Sequence, residues 1–206
     1  VLSMNPYSML ITLPILLFSL SVHEYAHARV AYRLGDNTPR WQGRLTLNPL
    51  AHMDPVGLLV LVVTGRFGWA KPVVVNPNNF ENRDAGMVMV SLAGPGSNLV
   101  LAIALATLFK AVSGPYGIPA NAFARYLALA LNQGVWINLG LAVFNLLPVP
   151  PLDGSKILAA LLKGKGARVY YTLEKYSYIV LLLFIATPLA SWILSPIILT
   201  LYRAIM

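Results

Sequence analysis

The sequence has no cysteine. That absence excludes disulfides and thiolate-held metals together, so any metal must be bound by His, Asp or Glu. Charge is also scarce. Only 11% of the 206 residues are Asp, Glu, Lys or Arg, and 57% are apolar, where soluble domains carry roughly 25% charged residues. Several apolar stretches reach bilayer length, which makes an integral membrane protein the leading class. Seven acidic residues stand against fifteen basic ones, for a formal charge of +8. The Lys and Arg residues are scattered rather than gathered into a block, so they orient loops across a membrane and do not point to nucleic acid. A signal-peptide pattern is missing as well: the first apolar run is too long and carries polar residues. No repeat, low-complexity linker or solvated domain breaks the chain, and residues 1–206 read as a single membrane-embedded domain.

The apolar runs predict an all-α polytopic fold with about five transmembrane helices. The first runs from about Ser8 to the stop signal Gly35-Asp36-Asn37, the second from about Ala85 to Val112, and the third from about Ala122 to Leu147. Two more, about Tyr170–Thr187 and Leu189–Ile205, form a C-terminal hairpin within residues 168–206. The apolar run Val56–Val63 is too short to cross and reads as a re-entrant or interfacial segment. Arg40–Pro49 and Lys71–Val75 read as short interfacial strands. Basic residues cluster after the first helix (Arg29, Arg33, Arg40, Arg44) and after the third (Lys156, Lys163, Lys165, Arg168). Both clusters fall on the cytoplasmic side only if Val56–Val63 does not cross, so charge and length agree.

Within the first helix stands His23-Glu24-Tyr25-Ala26-His27, a HExxH pattern. On a helix the two His lie one turn apart on one face, where both imidazoles reach a single ion. Glu24 beside them offers a carboxylate that can take a proton from water. His23 lies about 9 Å of helix rise before Arg29 and about 15 Å before Arg33, below the water boundary those arginines mark. Ionisable residues at such depth are costly and face a cavity or a partner. A zinc hydrolase needs three protein ligands and an open position, so a third must come from elsewhere. Asp153 stands out because it follows the proline-broken segment Pro148-Val149-Pro150-Pro151 on the same side. Irregular backbone at membrane depth must line a cavity or be covered by protein. His52 and Asp54 are open to two readings, as metal or gating residues or as loop anchors. Asn98 reads as a hydrogen bond across helices, and the small residues beside it as a close-packing face.

Taken together, HExxH at 23–27 and Asn145-Leu146-Leu147-Pro148-Val149-Pro150-Pro151-Leu152-Asp153-Gly154 resemble the paired motifs, HExxH and NxxPxPxLDG, of the site-2 protease family of intramembrane zinc metalloproteases. Ala93-Gly94-Pro95-Gly96-Ser97-Asn98 is similar to the family's small-residue motif. The resemblance covers about residues 8–162 and is to the compact form without PDZ or CBS domains. It implies one zinc ion held by His23, His27 and Asp153, with Glu24 as general base. It also implies cleavage of peptide bonds within or near transmembrane segments of membrane proteins, as in regulated intramembrane proteolysis, in a multi-pass protein of the cell membrane with its active site toward the cytoplasm. Asn145 is a candidate oxyanion donor or, alternatively, a group that satisfies broken helix backbone. The competing reading is a transporter or channel that uses the His and Asp residues as a cation pathway. One broken helix and no repeat weigh against it. The oligomeric state is not legible.

Overall fold

A computed structural model describes residues 6–64, 68–114, 121–162, 170 and 172–206. The described elements are helical throughout: α1 (Pro6–Arg33), the single turns α2 (Thr38–Trp41) and α3 (Pro49–His52), α4 (Pro55–Thr64), α5 (Arg83–Ser113), α6 (Ala122–Asn145), α7 (Asp153–Leu161), α8 (Ser177–Ala186) and α9 (Pro188–Ile205). Four of them contain segments long and apolar enough to cross a bilayer: Met9–Arg33, Arg83–Ser113, Ala122–Asn145 and Pro188–Ile205. Bulky apolar side chains stay exposed along them, including Val100, Ile103 and Leu108 on α5 and Trp192 on α9, as lipid-facing surfaces require.

α5 is the central helix. Asn82 caps it by accepting from the Ala85 amide at 3.0 Å, and its small residues let α1 and α6 approach closely. Ala102 and Ala106 of α5 interlock with Val135 and Leu139 of α6 to form the largest buried apolar cluster. α9 docks on α6 by stacking Tyr202 on Trp136 at 4.2 Å between centroids, with the Tyr202 hydroxyl donating to Asn132 Oδ1 at 2.7 Å. α6 is capped by Asn121 and stops at Asn145, because Pro148, Pro150 and Pro151 cannot continue a helix. Helix resumes at Asp153.

Three sequence expectations change. Within the expected fifth span, Tyr170–Thr187, of which residue 171 lies outside the described residues, helix is interrupted at Tyr176; the piece that follows, Ser177–Ala186, is about 15 Å long and by itself too short to cross. Thr187 precedes Pro188 and is pushed to φ −93°, ψ 157°, the extended conformation that a following proline imposes. Tyr176 leaves helical geometry at the other end. The strands also do not form. Thr38–Trp41 is a helical turn with Pro39 near its start, and Gly43 at φ +67° turns the chain out of it. Lys71–Val75 has no ladder partner; the one bridge among the described residues pairs Met53 with Ala70. Pro72 has no N–H to give, and the Val73 N–H goes to a side chain described below. Finally, Arg44 is not a free orienting charge. It is 4% exposed and donates to the carbonyls of Ala51 and Lys71, tying the α3 turn to the segment after residue 70. The ten-residue α4 is about 15 Å long, too short to cross a bilayer.

The turn that follows α1 passes through Gly35, whose φ of +102° is reached readily only without a Cβ. The next residue, Asp36, is fully buried and is an anchor for the loops. It accepts from the Thr38 amide and hydroxyl at 3.0 and 2.6 Å, from the Asn76 amide at 2.8 Å and from Asn79 Nδ2 at 2.7 Å. Burial alone would raise its pKa, but these donors outweigh burial and hold the carboxyl below its ordinary value. With the folded-state pKa depressed, the stabilisation is complete above the unfolded value of about 3.9 and is lost as pH falls through the folded one. In detergent micelles, the wild-type unfolding midpoint should therefore drop on acidification below about pH 4. Asp36→Asn should be less stable at pH 7, by about 1–3 kcal/mol, and lose less on acidification. Equal acid losses in both proteins would remove Asp36 from the acid response.

Candidate metal centre

α1 presents His23 and His27 on the face toward α5, and the restart of helix at α7 presents Asp153 to the same point. The three residues are 4%, 7% and 5% exposed. His23 Nε2 lies 3.0 Å from His27 Nε2, and Asp153 Oδ2 lies 3.2 and 3.1 Å from the two nitrogens. Among the described residues, this is the one group of three or more His, Asp or Glu side chains so arranged.

The protons can be placed from the partners on the far side of each ring. His23 Nδ1 is 2.6 Å from Asn98 Oδ1, and the Asn98 amide orientation is fixed because its Nδ2 donates to the Ser19 carbonyl at 3.3 Å and to Asn138 Oδ1 at 2.8 Å. Asn138 is fixed in turn by donating to the Gly134 carbonyl and Ser19 Oγ, both at 2.9 Å. His27 Nδ1 faces the Val90 carbonyl at 2.7 Å. Both Nδ1 atoms thus carry protons in the neutral rings, and both Nε2 atoms carry lone pairs. Two lone pairs and a carboxylate oxygen then converge with no proton between them, an arrangement that repels itself unless a cation sits among them. The donor set of two imidazoles and one carboxylate suits zinc, and the 3.0–3.2 Å separations approach the roughly 3.3 Å edge of a tetrahedron with 2.0–2.1 Å bonds.

Asp153 opens α7, where a helix N-terminus favours negative charge. Its Oδ1 accepts from Lys156 Nζ at 3.2 Å, leaving Oδ2 for the centre. Gly94 lies against both imidazoles: a Cβ built there would fall 2.6 Å from His23 Cε1 and Nε2 and closer still to His27 Nε2. Glu24 is partly buried, and its Oε2 accepts from the Val73 amide at 3.0 Å.

Asn145 lies at the C-terminal end of α6 with Nδ2 donating to the Leu141 carbonyl at 2.9 Å, so one of its two amide protons is committed to the helix. His52 and Asp54 stand outside the group. His52 donates from Nε2 to the Thr46 carbonyl at 2.8 Å, and Asp54 Oδ1 caps α4 through the Val56 and Gly57 amides, both at 2.9 Å. They anchor loops. Asn98 does more than the cross-helix bond read from the sequence, since it also sets the His23 tautomer. The Val90 carbonyl left no signal, because every residue carries one.

Residues 108–188 match the model of Peptidase family M50, a stretch that holds Asp153 and lies downstream of the HExxH helix. A Bacillus subtilis (strain 168) protein named "Putative zinc metalloprotease YwhC" is 44% identical over 197 residues, covering 95% of this chain and 87% of that protein. Proteins named "Putative zinc metalloprotease Rip2" from Mycolicibacterium smegmatis and Mycobacterium tuberculosis H37Rv are each 33% identical, over 84% and 85% of this chain. The chain spans 65% and 67% of their lengths. No solved structure matches. Identity of 44% along nearly the whole of both chains is far above chance, and the chain belongs to peptidase family M50, the site-2 protease family of membrane-embedded zinc metalloproteases.

Proposed function

We propose that this protein is an endopeptidase that hydrolyses peptide bonds within or beside transmembrane segments of other membrane proteins, the chemistry of regulated intramembrane proteolysis. The observation that carries the reading is the buried convergence of His23 Nε2, His27 Nε2 and Asp153 Oδ2 between helices of bilayer length, with Glu24 one residue from a ligand. These three residues would hold one zinc ion per chain. When bound, zinc supplies a Lewis acid that polarises a carbonyl and acidifies water.

The chain's own residues do the rest. Glu24, steadied at Oε2 by the Val73 amide, keeps Oε1 available to accept the proton of the attacking water and return it to the leaving amine. Asn145, through its uncommitted amide proton, is the donor for the developing oxyanion. Asn98 and the Val90 carbonyl hold the imidazoles in the ligating tautomer. A substrate helix must unwind before its carbonyls can be attacked. The irregular segments around Lys71–Val75, held by Arg44 and Asp36, form the border against which an unwound strand would lie. The core of this activity is residues 8–162, with the last two helices peripheral. Arg29, Arg33 and Arg40 near the end of α1 put the site toward the cytoplasmic face of the cell membrane.

The test uses purified protein in lipid vesicles with a single-span substrate. Cleavage should fall to background after dialysis against a strong zinc chelator and return on adding zinc. Cleavage that persists in fully metal-depleted protein would end the metallopeptidase reading.

A further inference from the structure

A cavity of about 210 Å³ lies between α1, α4 and the segment Gly68–Ala70, and two of its walls lead along the chain to Glu24. One wall is α1. Leu17 and Ser21 line the cavity and lie seven and three residues before Glu24, on the same helical stripe. Leu16 and Leu20, also in the wall, stand in the same relation to His23. The α1 wall therefore ends about one helical turn, about 5.4 Å, before the base and the first ligand. The facing wall contains Trp69 and Ala70, a few residues before Val73, whose amide binds Glu24. Leu58 and Leu61 of α4 close the remaining side. A peptide strand lying at Glu24 is thus about one turn of α1 from the cavity wall.

The size selects the occupant. Ligand pockets for whole small molecules run to roughly 300–1,000 Å³, so this one is too small for them and suits a single large side chain. Most of the lining is aliphatic or aromatic. Its polar members, Ser21, His52 and Asp54, are bonded to the carbonyls of Leu17 and Thr46 and to the Val56 and Gly57 amides, which favours an apolar occupant. Transmembrane segments are rich in Leu, Phe and Met, side chains that match both size and chemistry.

We infer that this cavity is a specificity pocket taking one bulky apolar side chain, of Leu, Met or Phe size, at a fixed position from the bond to be cut. The inference rests on the peptidase reading above and deepens it by naming what the substrate must carry. Burying the side chain while the strand is held at Glu24 fixes the register of cleavage, so the preference appears in kcat/KM at one position only.

The experiment takes single-span substrates in vesicles and varies each residue near the cleavage point through Gly, Ala, Leu, Phe and Trp. Wild type should prefer Leu or Phe over Gly at one position by about tenfold or more in kcat/KM. Leu58→Trp, which fills the cavity from α4, should abolish or invert the preference at that position and leave the others unchanged. Ala70→Leu narrows it from the facing wall and serves as the second variant where Leu58→Trp fails to bind zinc. Leu61→Ala should move the optimum toward Phe or Trp. A wild-type enzyme that cuts without a size preference at any position overturns the pocket. So does a preference that survives filling in a zinc-loaded variant, including the case where the variant's rate instead follows lipid acyl-chain length and the cavity belongs to a lipid tail. If wild type cleaves none of the substrates, the peptidase reading fails and takes the pocket with it.

Discussion

Glu24→Gln is expected to lower kcat/KM for a single-span substrate by about 10³-fold while zinc content stays at the wild-type level. Glutamine has nearly the shape of glutamate, and its carbonyl oxygen can still accept from the Val73 amide that Glu24 binds at 3.0 Å. The segment after Pro72 is therefore held as before, and His23, His27 and Asp153 keep their convergence. What the substitution removes is the capacity to take and return a proton, since an amide is not basic near neutral pH. Zinc content by elemental analysis and cleavage rate in the same preparation separate the two properties. A variant that retains zinc and cuts at the wild-type rate would show that another group carries the proton. A variant that loses zinc would assign Glu24 to holding the site instead. Because the substitution keeps the shape of the side chain and its bond to the Val73 amide, the inactive variant should still bind substrate, which makes it suitable for capturing one.

The readings that held and those that failed divide by the kind of force involved. The spans at α1, α5 and α6 were legible because a bilayer demands a long apolar run, and composition alone reports that. The His23–His27 pairing was legible because helical periodicity is local. Asp153 was pointed out by the prolines before it, which forbid helix at a depth where irregular backbone needs a reason. The failures were non-local. Lys71–Val75 looks like a strand by its own residues, yet a strand exists only with a partner, and the Val73 amide is taken by a carboxylate 49 residues away. Arg44 looked like an orienting charge because nothing in the sequence reports that two carbonyls, of Ala51 and Lys71, would meet it. The expected span at Tyr170–Thr187 is interrupted by the turn at Tyr176, inside an apolar run that hydropathy reads as continuous. Asn98 was half legible: its polarity in an apolar helix announced a partner but not that the partner would be Nδ1 of His23.

Gly94→Ala is expected to lower zinc affinity by about 10–100-fold or more, the range seen when the supports of metal ligands are removed, and to lower activity with it, although no ligand is changed. The added methyl would fall 2.6 Å from the His23 ring and closer to His27 Nε2. Contacts this short must be relieved, and the rings cannot simply turn aside. His23 is held at its far nitrogen by Asn98, which is tied to Asn138 and Ser19, and His27 is held by the Val90 carbonyl on the same helix as Gly94. Two responses remain. Either α1 and α5 move apart, which loosens the contact that small residues made possible, or the hydrogen bonds break and the two Nε2 atoms diverge from their 3.0 Å separation. Both spoil a donor set whose value depends on convergence. Overpacking of this kind also costs about 1–3 kcal/mol of stability, so the unfolding midpoint should fall in metal-free protein too. Competition against a chelator of known affinity gives the zinc constant, and unfolding of the metal-free protein gives the packing cost. Wild-type zinc affinity in Gly94→Ala would mean that the helices yield without moving the imidazoles, and that the closeness of α5 to the HExxH helix does not determine the metal site.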